Sequence, residues 1–195
     1  MGTATCRAAA LGSLVVIGAA GCGTARQLPS HSALTAAPSA SIRAQAPPAG
    51  WHGSRIGSGA VLFYPPSWKR ARGDAGTATA TLEGAGRRLL GYLNITPQQA
   101  DETLANWSRF RVSHNRREGE KEVTREAVLR QVRFRTGTGT CVRDRYTTAS
   151  GARYIELACL VHGSAATSVI IAASPRANWS SVSPSLYRAL SAMTT

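Results

Sequence analysis

The chain is 195 residues long and carries 23 Lys+Arg against 10 Asp+Glu, a formal net charge of +13, with 43% of its residues hydrophobic. That size suits a single domain with a core of its own. Four cysteines in no CxxC spacing and four histidines argue against a metal or redox centre, while the positive charge points to anionic partners.

Met1 to Arg7 holds one charged side chain, Arg7, and the thirteen residues Ala8 to Ala20 are Ala, Leu, Val, Ile, Gly and Ser. Residues 1–21 therefore read as an export signal, because the apolar run is shorter than the roughly 17–25 residues of a membrane-spanning helix. Ala19, Ala20 and Gly21 lead into Cys22. This stretch resembles the bacterial lipobox, with Ala19 where that pattern prefers Leu or Val. The resemblance implies cleavage before Cys22 and a diacylglyceryl thioether on its sulfur. Ordinary cleavage among the same small residues, giving a free secreted protein, and a retained helix are the alternatives.

Residues 22–50 follow as a tether. From Gly23 to Gly50 the chain is rich in Ala, Ser, Pro and Gly and has no acidic or aromatic residue, so it cannot bury enough surface to offset chain entropy. Its reach is roughly 30 Å. Every Trp, Tyr and Phe, and all ten acidic residues, lie in 51–195, which is read as one globular domain.

Within it, "GAVLFYPPSW" predicts a strand ended by Pro65 and Pro66. "TATATLEGAGRRLLGYLNIT" predicts two strands about the turn Gly84-Ala85-Gly86. Thr96-Pro97-Gln98-Gln99 has the order of a capping box with proline in the first turn. Ala100, Leu104, Trp107 and Phe110 then recur at helical spacing, which predicts a helix to about Glu118 with Gly119 as its stop. The basic run "VTREAVLRQVRFRT" predicts a strand. "TCVRDRYTT" and "RYIELACLV" predict a hairpin, and centring it on Ser150 sets Cys141 opposite Cys159, Tyr146 opposite Tyr154 and Asp144 opposite Glu156. With Cys6 lost in the signal and Cys22 lipidated, Cys141 and Cys159 remain to form a disulfide outside the cytoplasm. A bulge at Gly151 would shift that register. "TSVIIAAS" predicts a central strand covered on both faces, and "PSLYRALSAM" a terminal helix. The order gives an α+β fold with a mainly antiparallel sheet flanked by helices.

"FYPPSW", "GYLNITPQQADETLANWSRFRVSHNRREG" and the cysteine hairpin look like a group of actinobacterial lipoproteins that carry no known activity. The strand order, the Tyr64-Pro-x-x-Trp68 turn and the closing "SPRANW" with its helix are similar to the PsbP-like α/β/α sandwich over Gly59 to Met193. Such domains mostly serve as accessory or binding modules, so this resemblance implies a non-enzymatic role.

Residues with catalytic chemistry are sparse. His31 lies in the tether, His52 at the domain edge and His162 at a strand end. His114 and Glu118 stand one helical turn apart, an acid–base pair with no third member; a core-edge histidine near a helix C-terminus, favoured in its charged form, is the plainer reading. Gly57-Ser58-Gly59 is not a nucleophile elbow, and Gly84-Ala85-Gly86 before Arg87-Arg88 leads into a strand, which leaves a hairpin turn and no phosphate cradle. Asp144 and Glu156 face each other with Arg143, Arg145 and Arg153 alongside, a salt-bridged strand surface in preference to a shared proton. The broad signal is charge: Arg109, Arg111, Arg116, Arg117, Lys121, Arg125, Arg130, Arg133 and Arg135 crowd the helix and the next strand, partly offset by Glu118, Glu120, Glu122 and Glu126. Arg109, Arg116, Arg117, Lys121 and Arg125 are the candidate anion-binding surface, although a chain with two lysines among its basic residues also fits a compositional bias.

The expectation is a lipoprotein anchored through Cys22 on the outer face of the cytoplasmic membrane, serving as a non-enzymatic binding or accessory module. Its partner would be an envelope protein or an anionic lipid or wall polymer, with no nucleic acid, cofactor or metal. The alternatives are an envelope hydrolase using His114 and Glu118, and a small-molecule carrier with an apolar gap beneath the helix around Trp107.

Overall fold

The computed structural model describes residues 41–99, 101–164 and 166–195. Nine strands and two helices follow one another: β1 (His52–Arg55), β2 (Val61–Tyr64), β3 (Lys69–Ala71), β4 (Ala78–Glu83), β5 (Leu89–Pro97), α1 (Trp107–Arg117), β6 (Lys121–Arg133), β7 (Gly137–Thr147), β8 (Arg153–Gly163), β9 (Thr167–Pro175) and α2 (Trp179–Ala192). β1 and β2 form a hairpin of their own; the other strands make one antiparallel sheet in the order β3-β4-β5-β9-β8-β7-β6. The continuous apolar run of β9 sits in the middle of it, as expected of a strand with both faces buried. Cys22 and the expected signal lie outside the described residues.

Alternation along the strands sorts the core into two layers. Leu93, Leu157, Ile170 and the Cys141–Cys159 disulfide face α2, which contributes Leu186 and Leu190, and the β1–β2 hairpin, which contributes Leu62. On the other face Val142, Ala158, Leu160 and Val169 pack beneath Trp107 of α1. The helices are staggered: α1 lies over β6, β7 and β8, whereas α2 lies over β9 and β5. On the α1 face the part of the sheet formed by β4, β5 and β9 is thereby left uncovered, whereas on the other face the β1–β2 hairpin packs beside α2.

The disulfide joins directly opposed residues of β7 and β8, and the Tyr146–Tyr154 and Asp144–Glu156 pairs fall in the same register. The turn Thr148–Gly151 absorbs the reversal without displacing it. A cross-link spanning 18 residues contributes on the order of 3 kcal/mol by restricting the unfolded chain. The Tyr64–Trp68 turn has an equally specific cause: Trp68 N donates to Pro65 O at 3.0 Å, and the ring lies against Gly91 on β5. A Cβ at Gly91 would come within 2.6 Å of the Trp68 ring, so this contact needs glycine.

Three expectations are corrected. The helix does not begin at Pro97, which ends β5; a strand closed by proline carries the same Thr-Pro signature as a capped helix. The chain turns into α1 six residues on, where Thr103 N donates to Asn106 Oδ1 at 2.7 Å and Asn106 N donates to Thr103 Oγ1 at 3.2 Å, a reciprocal pair in the turn before Trp107. The terminal helix starts at Trp179, upstream of Pro184. And residues 41–50, expected to belong to the tether, run along α2: Arg43 N and Gln45 N both donate to Ser191 at 3.1 Å, and Ile42 packs on the core.

Gly119 does stop α1. Its φ is +93°, and the amides of Gly119 and Glu120 reach back to Arg116 O and Asn115 O at 3.2 and 3.0 Å, the paired bonds of a Schellman motif. Gly119→Ala is expected to lower stability by about 1 kcal/mol, since a Cβ disfavours this conformation; a denaturant midpoint equal to the parent's would contradict that.

β6 is a long edge strand that slips register three times against β7, with Glu122 and Gln131 in the left-handed region at φ 53° and 54°. Bulges of this kind twist an exposed edge away from pairing with another chain.

Candidate functional site

Arg111 and Asn115, one turn apart on α1, point down onto the sheet. Arg111 grips Glu156 with two parallel bonds, Nε to Oε1 at 2.6 Å and Nη2 to Oε2 at 2.7 Å. Asn115 Nδ2 donates to Asp144 Oδ2 at 3.3 Å and to Glu156 Oε1 at 3.5 Å. Both carboxyl groups are shut in, with Asp144 0% and Glu156 1% exposed. Burial, reinforced by the Glu156 charge, pushes the Asp144 carboxyl up to about 8 despite Arg111. Burial would lower the Arg111 pKa, but the Glu156 carboxylate outweighs it and holds the guanidinium charged. Asp144 Oδ1 makes no hydrogen bond among the described residues, and its burial beside the Glu156 charge favours the protonated form.

This corrects the expected salt-bridged strand surface. Period-two alternation sends the arginines flanking Asp144 to the other face, where Arg143 and Arg145 lie 3.0 and 3.7 Å from Glu126. Asp144 and Glu156 share the face of Val142 and Ala158. The signal was present in the sequence, as two carboxylates in phase with buried apolar residues.

Beyond α1, the uncovered half of this face is a cleft of about 380 Å³. Its floor is Thr79, Tyr92, Asn94 and Thr96 with Val169 and Ile171; its walls are Trp107, Phe110, Arg111 and His114 of α1 and the β3–β4 loop at Arg72 and Asp74. Trp107 is fixed by Nε1 donating to Ala158 O at 2.9 Å, and Asn94 Nδ2 donates to Thr79 Oγ1 at 2.9 Å. Burial and the Arg111 charge hold the His114 imidazole below its ordinary value. The expected charged form at the helix C-terminus is thus reversed: desolvation and a cation one turn away outweigh the helix end. His114 stacks on Phe110 with ring centroids 6.2 Å apart, while Glu118 is exposed at the end of α1. The cleft offers aromatic surface and hydroxyl and amide groups, equipment for holding a small ligand. Among the described residues, no group of three or more His, Cys, Asp or Glu side chains could hold a metal ion.

Arg109, Arg116, Arg117, Lys121 and Arg125 are all exposed. Arg116 Nη2 donates to Val123 O at 3.1 Å and Arg125 Nη1 to Ser108 Oγ at 3.4 Å, so these two side chains lace α1 to β6. Arg117 lies over the Phe110 ring at 6.0 Å. None of the five forms an ion pair with a described carboxylate.

No protein-family model matches the chain, and no curated protein matches it in sequence. Solved structures do resemble it. CyanoP, the cyanobacterial PsbP of Synechocystis, is 13% identical with a TM-score of 0.53, covering 76% of this chain and 94% of its own. A Pseudomonas aeruginosa protein of unknown function is 12% identical with a TM-score of 0.47, over 72% of this chain and 94% of that one. LpqN of Mycobacterium tuberculosis, involved in cell envelope biogenesis, is 10% identical with a TM-score of 0.46, over 74% and 89%. The likeness to CyanoP shows the fold, an antiparallel sheet between helices of PsbP type, and the fold alone.

Proposed function

We propose that this chain is a membrane-anchored, extracytoplasmic binding module that engages an anionic envelope component, or a partner protein carrying one, without catalysis. The observation that supports this most is the exposed basic face on which α1 and β6 join, with Arg116 and Arg125 tying the two elements together. A buried disulfide fits an oxidising compartment, and Cys22 supplies the attachment point. The buried carboxyl groups of Asp144 and Glu156 are engaged with Asn115 and Arg111 beneath α1, an arrangement suited to fastening a helix.

The test is co-sedimentation with vesicles containing anionic lipid, using the chain with Cys22→Ser so that no acyl chain contributes. Binding should fall steeply with added salt. Arg116→Ala with Arg117→Ala should weaken it roughly 10–30-fold, at about 1 kcal/mol per cation near an anionic surface. Binding indifferent both to salt and to the double substitution would reject the electrostatic reading.

A second reading, carriage of a small molecule, draws support from the cleft beside Trp107 and Phe110. A ligand of defined mass retained through purification would favour it.

A further inference from the structure

At the corner of the sheet where the β7–β8 hairpin turns, a recess of about 320 Å³ opens. Three guanidinium groups border it from three separate segments: Arg145 on β7, Arg153 on β8 and Arg176 between β9 and α2. Arg145 leans toward Glu126 at 3.7 Å, whereas Arg153 and Arg176 form no ion pair with a described residue. The carboxylate in the lining, Glu122, is occupied, since Oε2 accepts a bond from Thr147 Oγ1 at 2.9 Å. Tyr146 and Tyr154 close one side as a stacked pair, 5.8 Å apart and 9° from parallel. Burial holds both phenols above their ordinary pKa, so the pair brings no negative charge.

We propose that this recess is a phosphoryl-binding subsite, in which Arg153 and Arg176 together take the phosphate of a phosphomonoester. Two unpaired guanidinium groups match a doubly charged tetrahedral anion with several acceptor oxygens. A carboxylate would satisfy one guanidinium and leave the other unmatched. Lys121, the ladder partner of Thr147, joins the recess to the basic face of α1 and β6. The subsite thereby deepens the anion-binding reading, and it rests on that reading only for what the phosphate is attached to.

The phosphate could be borne by a lipid headgroup or by a soluble molecule, and the subsite is tested first without either. Inorganic phosphate is titrated into the full chain at constant ionic strength, with chloride as the balancing anion, while backbone amide resonances are followed by NMR. Saturable shifts at Thr147, Arg153 and Arg176 are expected. They should weaken at least tenfold in Arg153→Gln with Arg176→Gln and by less than twofold in Arg116→Ala with Arg117→Ala. No saturable shift at the recess of the parent chain would overturn the proposal, as would an unchanged affinity in the Arg153/Arg176 variant. Glycerol phosphate in solution and phosphatidic acid in vesicles then separate the two sources. The tighter of the two names the carrier, and failure of both to involve Arg153 and Arg176 overturns the subsite. Loss of vesicle binding in the Arg116/Arg117 variant, with no phosphate response at the recess, would sink the subsite while leaving the basic face standing.

Discussion

Arg111→Ala is expected to cost about 3–5 kcal/mol of folding stability, the range for removing one partner of a buried, hydrogen-bonded ion pair. The side chain is 12% exposed and its partner Glu156 2%, so water reaches neither end of the bond well. Truncation would leave the Glu156 carboxylate facing Asp144 with no countercharge. The informative control is Arg143→Ala. That side chain pairs with Glu126, but at 40% and 24% exposure the pair is worth less than about 1 kcal/mol. Urea denaturation of the two variants should separate them clearly, and equal losses would mean that the latch under α1 contributes no more than a surface pair. Arg111→Met combined with Glu156→Gln should recover most of the loss, because the cost lies in the orphaned charge more than in the missing bond.

The protein is also expected to lose stability as pH rises toward 8, and Asp144→Asn should flatten that fall. Burial and the Glu156 charge push the Asp144 carboxyl up to about 8 in the folded chain from an ordinary value of 3.8, so across that interval the folded state retains a proton that the unfolded state releases. Its stabilisation is therefore complete below about pH 4 and is lost progressively as pH rises to the folded value. The slope approaches about 1.4 kcal/mol per pH unit in between. Glu120, raised by burial and then by Glu156, adds a weaker trend of the same sign at lower pH. His114 works the other way: its depressed folded value costs stability as pH falls below about 6.5. The interval from pH 6.5 to 8 consequently isolates Asp144, with an expected loss on the order of 2 kcal/mol. Asp144→Asn should exceed the parent in thermal midpoint at pH 8 and differ little from it at pH 4. A flat parent profile between 6.5 and 8 would show that Asp144 is ionised throughout.

The hairpin was legible because a short turn at Ser150 fixes which residues oppose one another, and one register explained both the cysteine and the tyrosine pairs. The central strand was legible from an apolar run with no alternation. What escaped was information carried by contacts distant in sequence. Thr96-Pro97 reads identically as a strand end or a helix start until β9 pairs with β5. Asp144 looked like one more charge among arginines until α1 was laid over it. The bulges in β6 have no glycine to announce them, because Glu122 and Gln131 adopt the left-handed conformation themselves. The five candidate cations on α1 and β6 proved exposed, but the sequence could not tell that Arg116 and Arg125 bridge the two elements. The recess formed by Arg145, Arg153 and Arg176 draws on residues from three separate segments, with no shared motif.

The stagger of the two helices has a consequence for traffic at the surface. With α1 over β6, β7 and β8, the aromatic cleft lies beside it on β4, β5 and β9, and it shares no lining residue with the arginine recess at the ends of β6, β7 and β8. A molecule in the cleft and an anion in the recess would therefore meet different side chains, so occupancy of one leaves the lining of the other unchanged.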